Sequence, residues 1–187
     1  MNSWTKDKEE LTRLAYQFDK SIVLKTHENK LSKSLAWINF ILTFGKQTRE
    51  HFLKHFAFTI GNYHFYPKEW DKEQVERTLP HEARHTWQMK KLGFGIHPLL
   101  GLPLFLLIYC FLPLPIYFSF GRFYLELDAD KAYYKYLLNK EGIFYTNHII
   151  YLNKEHRIKS LSGPAYFWAV EKRFALEEYN RMLKNLH

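Results

Sequence analysis

His81-Glu82-Ala83-Arg84-His85 is the stretch on which the reading of this chain turns. Residues four apart on an α-helix lie one above the other on the same face, so His81 and His85 can present imidazole nitrogens to one cation. Glu82 projects to the side, where its carboxylate can take a proton from a water at an open metal position. Zinc suits this donor set, because it accepts imidazole and carboxylate and lowers the pKa of a bound water to about 7. The same residues on the polar side of a surface helix need no metal, and a chain with 10 His and 19 acidic residues can produce the motif without one. Two ligands are too few, so a third residue decides between these readings.

Glu126 is the expected third ligand, in Phe123-Tyr124-Leu125-Glu126-Leu127-Asp128-Ala129-Asp130-Lys131, a stretch free of Gly and Pro that reads as helix. Asp130 lies one turn beyond it, where it can accept the spare ring N–H of a ligating histidine and fix its orientation. Asp128 points elsewhere and is assigned no role. His97 is the rival third ligand, in the manner of SprT-like zinc proteases that act at DNA. Gln88 stands where the metzincin pattern has glycine, and Pro98 makes His97 a loop residue. For stabilising a developing oxyanion, Tyr133, Tyr166 and His64 are candidates, each also explicable as a packed or surface residue.

These residues resemble the gluzincin class of zinc peptidases, in which H-E-x-x-H is completed by a Glu on a later helix with an Asp four residues on. Glu126 and Asp130 match that pair. The strings His81 to Gln88 (HEARHTWQ) and Glu126 to Asp130 (ELDAD) are similar to small metallopeptidase-like proteins of bacteria and phages that carry H-E-x-x-H-x-x-Q and a later E-x-x-A-D. Thr59-Ile60-Gly61-Asn62 and Leu161-Ser162-Gly163-Pro164-Ala165-Tyr166 resemble segments of the same group, so the likeness runs from about residue 55 to 170. It implies a zincin-like α+β fold, mainly helical, with zinc held by His81, His85 and Glu126, Glu82 as catalytic base, Asp130 behind the ligands and a peptide or protein substrate. It also implies that one strand of a hairpin over residues 56–66 pairs with extended substrate; a small sheet that only covers the core, with no ligand, is the equal alternative.

From Pro98 to Gly121 the chain carries no charged residue, which meets the length criterion for a membrane-spanning helix. A single span would separate its ends by about 30 Å, whereas zinc ligands on either side of it must each lie about 2 Å from the ion. Pro113 and Pro115 divide the run into two arms of about ten residues, so a helical hairpin is expected. A buried core hairpin is the preferred form. Contact with a membrane surface through 98–121 is the alternative, with Tyr109, Tyr117 and Tyr124 and the basic Lys90, Lys91 and Arg122 facing the headgroups.

Length and composition set the remaining bounds. With 187 residues, 47% of them apolar, and no linker-like tract, one domain over 1–187 is expected: a helical part over 1–50, a metal-site core over 51–140 and a C-terminal part over 141–187. The charged amino terminus lacks a secretory signal pattern, and the single Cys110 excludes an internal disulfide and thiolate zinc sites. A cytoplasmic protein is expected, with the inner membrane surface as the alternative. The net charge of +8 is spread among acidic neighbours with no dense basic block, which argues against a nucleic-acid partner. A non-enzymatic bacterial or phage structural protein, or a membrane-surface adaptor with a zinc-stabilised fold, is the reading from a different functional class.

Hydrophobic spacing predicts helices over Thr5 to Lys20 and Leu31 to Phe44. Phe56 to Ile60 and Tyr63 to Tyr66 read as a hairpin around Gly61-Asn62. Asp71 to Arg77 reads as a short helical turn, Thr78 as the cap of a separate zinc helix from Leu79 to Leu92, and Gly142 as the end of the Glu126 helix. Ile143 to Leu152 has strand composition, and Tyr166 to Leu183 reads as an amphipathic helix.

Overall fold

The computed structural model describes residues 3–111, 119–166 and 169–186. It is an α+β protein, mainly helical, with one small sheet. The chain divides into two compact units, Met1–Leu104 and Phe105–His187.

In the first unit, helix α1 (Ser3–Phe18) precedes strand β1 (Val23–Thr26), helices α2 (Lys30–Leu42) and α3 (Arg49–His55), and strands β2 (Phe58–Ile60) and β3 (Tyr63–Tyr66). Asn29 and Thr48 cap α2 and α3 by accepting from the amides of Ser32 and His51. The expected hairpin is present: β2 and β3 pair antiparallel across Gly61, which adopts its φ of +63° without strain and where a Cβ would stand 2.3 Å from Leu99 Cδ2. The sheet has a third strand that spacing did not reveal. β1 runs parallel to β3, Val23 opposite Tyr63 and Thr26 opposite Tyr66, giving the order β1-β3-β2.

Helix α4 (Lys72–Leu92) corrects the expectation of two helical pieces. Asp71 is its N-cap in a reciprocal capping box with Gln74, and Thr78 lies inside, its hydroxyl donating to the Val75 carbonyl at 3.0 Å. Pro80 removes one backbone donor but does not end the helix, because packing on both sides holds it: Leu79 and Ala83 join Ala15 and Ile22 in a buried cluster against α1. Helix α5 (Pro98–Phe111) then folds across the end of α4, and a Cβ at Gly101 would stand 1.8 Å from the Met89 carbonyl oxygen, so only glycine allows this approach.

In the second unit, the last turns of α5 are followed by helix α6 (Phe120–Leu161), a 3-10 turn (Pro164–Tyr166) and helix α7 (Lys172–Lys184). The chain does reverse after α5: Ser119 caps α6 while its hydroxyl donates to the Tyr109 carbonyl at 3.0 Å. Pro113, Pro115 and Tyr117 lie outside the described residues, as do the side chain of Cys110 and part of the predicted terminal helix. That helix begins at Lys172, not Tyr166.

Gly142 interrupts α6 with φ 82° and ψ 175°, and helix resumes beyond it. The strand expected over Ile143 to Leu152 is therefore helical. Its branched and aromatic residues favour strand locally, but Ile149, Ile150, Ile158 and Leu161 recur at helical spacing and turn one face toward a core of Phe123, Leu127, Leu137 and Tyr179. Burial of that face outweighs a propensity difference of less than about 1 kcal/mol per residue.

Among the described residues no helix is long and apolar enough to cross a membrane. The preferred core hairpin is not what α5 forms: Leu100 is 60% exposed and Leu99, Leu104, Leu106 and Leu107 are between 43% and 48% exposed, while Phe105 is buried. Of the residues expected at a headgroup layer in the alternative reading, Arg122 is buried and donates to the Tyr166 carbonyl at 2.7 Å, and Tyr109 is half-buried with its hydroxyl donating to Glu126.

Candidate metal centre

The middle of α4 gathers three of the expected site residues. One helical turn sets the His81 and His85 rings 4.9 Å apart at 83°, with their Nε2 atoms 3.2 Å from each other. His85 is buried, and its Nδ1 pairs with Gln88 Oε1 at 2.9 Å. An amide oxygen only accepts, so Nδ1 carries the proton and Nε2 turns its lone pair toward His81. Gln88 was given no such role from sequence, although its position three residues after His85 on the same helical face would have pointed to it.

Glu82 is buried at 8% exposure, and the Thr59 hydroxyl on β2 donates to its Oε2 at 2.6 Å. β2 is an edge strand, so the hairpin supplies a partner for Glu82 and, among the described residues, a margin that pairs with no further strand. Beneath the histidines, Thr86 donates to the Gly61 carbonyl at 3.0 Å and so accepts from His64 Nε2 at 2.9 Å. This leaves His64 Nδ1 a buried acceptor with no hydrogen-bond partner. Burial, followed by the charge of His85, pushes the His64 pKa down to about 3. His64 is thus a neutral structural histidine whose one N–H is already used, and it is no free donor for an oxyanion.

The second unit holds Glu126 and Asp130, one turn apart on α6 and both buried. Arg157 joins them from beyond the Gly142 kink: its Nε donates to Asp130 Oδ2 and one terminal nitrogen to Glu126 Oε2, each at 2.7 Å, and the other to the Tyr166 hydroxyl at 2.6 Å. The Tyr109 hydroxyl donates to Glu126 Oε1 at 2.7 Å. Burial first, then the adjacent Glu126 charge, holds the Tyr109 hydroxyl well above its ordinary pKa, so it remains a donor. Burial likewise raises Tyr166. Arg157 and Tyr109 escaped sequence reading because only tertiary folding brings them to Glu126.

Tyr133 is half-buried beside the Tyr134 ring, 5.3 Å between centroids. His97 stands at the start of α5, where its Nδ1 accepts from the Leu99 amide at 3.2 Å. No family model, curated protein or solved structure matches the chain.

Proposed function

We propose that this chain is a zinc-dependent peptidase with a zincin-like fold, in which His81, His85 and Glu126 hold the ion and Glu82 is the catalytic base. The observation that carries this reading is the 3.2 Å between His81 Nε2 and His85 Nε2. Zinc–imidazole bonds of about 2.0–2.1 Å at a tetrahedral angle set two ligand nitrogens about 3.3–3.4 Å apart. The chemistry of the donors fits too. Two imidazoles on α4 and the buried Glu126 carboxylate are the donor types that zinc accepts. Nitrogen and carboxylate ligands without cysteine suit a catalytic rather than a closed structural zinc.

A bound zinc ion would supply a Lewis acid for the scissile carbonyl and acidify the attacking water. Glu82, steadied by Thr59, takes a proton from that water and passes it to the leaving amine. Gln88 keeps His85 in the tautomer that leaves Nε2 free. An extended peptide adds to the outer margin of β2, where main-chain hydrogen bonds hold it beside Glu82.

Glu82→Gln tests the assignment. The expected result is one zinc per chain, as in the parent protein, with peptide hydrolysis lowered about 10²–10⁴-fold. A parent protein purified without zinc that takes up none on addition would overturn the proposal. Loss of metal on His97→Ala but not on Glu126→Ala would transfer the third ligand to His97.

A second reading is favoured by one observation: Arg157 and Tyr109 already occupy both carboxylate oxygens of Glu126. On that reading the buried carboxylates serve an ion-pair cluster, and the two histidines share a proton. Zinc stoichiometry separates the two.

A further inference from the structure

We infer that α5 and the loop leading into it form a docking surface for an anionic lipid bilayer. This surface uses none of the residues assigned to the zinc site, so it stands or falls separately from the peptidase reading.

Helix α5 is apolar on every side, yet only one side is covered. Pro98, Gly101 and Phe105 are buried. Leu99, Leu100, Pro103, Leu104, Leu106 and Leu107 are exposed, and at 100° per residue they fall on a single face. A helix apolar all round belongs in a core or in lipid, and half of this one is in neither. Its 14 residues extend about 21 Å, short of the roughly 30 Å needed to cross a hydrocarbon layer, so it lies along a membrane surface.

The exposed face offers no hydrogen-bonding side chain. A protein partner would be expected to need them, since specific interfaces carry about one hydrogen bond per 100–200 Å². Liquid hydrocarbon needs none.

The loop before α5 adds an apolar tip. Phe94 is 92% exposed in the left-handed region at φ 58°, and Ile96 is 71% exposed. Backbone strain that holds an aromatic ring out in solvent points to an environment that accepts it. On the C-terminal half of α4, which runs into this loop, the half-exposed Trp87 ring carries the Arg84 guanidinium at 3.7 Å and the Lys91 ammonium at 5.2 Å. An indole beside two cations matches the headgroup layer, and their charge selects anionic lipid. The net charge of +8 draws the whole chain to the same surface.

The test is sedimentation of the full chain with vesicles of phosphatidylcholine alone and with roughly one-third phosphatidylglycerol, at low and high salt. Expected are binding to the anionic vesicles, about ten-fold weaker binding for Lys91→Glu, and loss of binding for the pair Leu104→Glu and Leu107→Glu. Far-ultraviolet circular dichroism confirms that each variant is folded. Phe94→Ser gives a second, milder probe in case the double variant unfolds, with a several-fold loss expected. Absence of binding to either vesicle overturns the inference. So does equal binding of the Leu104, Leu107 and Phe94 variants, or a dimer, seen by sedimentation equilibrium, that those variants dissociate.

Discussion

Arg157 is the side chain on which the second unit's buried charge depends. It faces two carboxylates, those of Glu126 and Asp130, and all three groups are largely removed from water. Deleting one member of a buried ionic cluster leaves the others uncompensated, which costs about 3–5 kcal/mol. Arg157→Met is therefore expected to lower unfolding free energy by about that amount; a urea midpoint unchanged from the parent would contradict the cluster's role. His64 makes a prediction with a definite sign. Its pKa falls from 6.5 unfolded to about 3 folded, so between those values the unfolded chain binds more protons. Stability is then complete above about pH 6.5 and declines as pH drops toward about 3. In metal-free protein, His64→Gln keeps a donor toward Thr86 and removes this titration. Urea unfolding at pH 7.5 and pH 5 should show a smaller pH dependence in the variant, and identical slopes would refute the assignment.

Gly142 shows how one residue shapes an element. Its φ of 82° with ψ of 175° is a backbone state open essentially to glycine, and a Cβ there would meet nothing within 4 Å. Gly142→Ala therefore isolates backbone strain from crowding. A loss of about 1–3 kcal/mol in thermal unfolding is expected, and no loss would mean the kink is dispensable. The same glycine marks the limit of what could be read from sequence. The interruption at Gly142, the β2–β3 turn and the H-E-x-x-H helix are legible in the sequence, because each depends on local chemistry or on the helical repeat. The helix beyond Gly142 has strand composition at its start, since Ile143, Phe144, Tyr145 and Thr146 favour strand when taken alone, and only the packing of Ile149, Ile150, Ile158 and Leu161 into the core with Phe123 and Leu127 decides otherwise. β1 was missed because four residues pair with a partner far along the chain. At the site, His81, Glu82 and His85 were legible from spacing, and Gln88 could have been. Arg157 and Tyr109 were not, because no periodicity links them to Glu126.

At the scale of the whole molecule, zinc binding is a statement about stability as well as chemistry. A cation that binds the folded chain alone stabilises it by RT ln(1 + [L]/Kd), about 2.7 kcal/mol at a hundredfold excess over Kd. For a protein of this size each kcal/mol raises Tm by about 2–4 °C, so saturating zinc is expected to lift the midpoint by about 5–10 °C over chelator-treated protein. The increment should vanish in His85→Ala, which removes a ligand. It should shrink strongly in Glu126→Gln, whose amide keeps the shape but surrenders the negative charge that a cation seeks. Glu82→Gln should retain it, since the base is not a ligand. Differential scanning calorimetry of the four proteins, each with chelator and with zinc, separates the outcomes. A shift that survives His85→Ala would mean zinc binds elsewhere on the chain. A shift lost in His85→Ala but intact in Glu126→Gln would leave Glu126 with Arg157 and Tyr109 in a purely structural cluster, and the third ligand would have to be another residue.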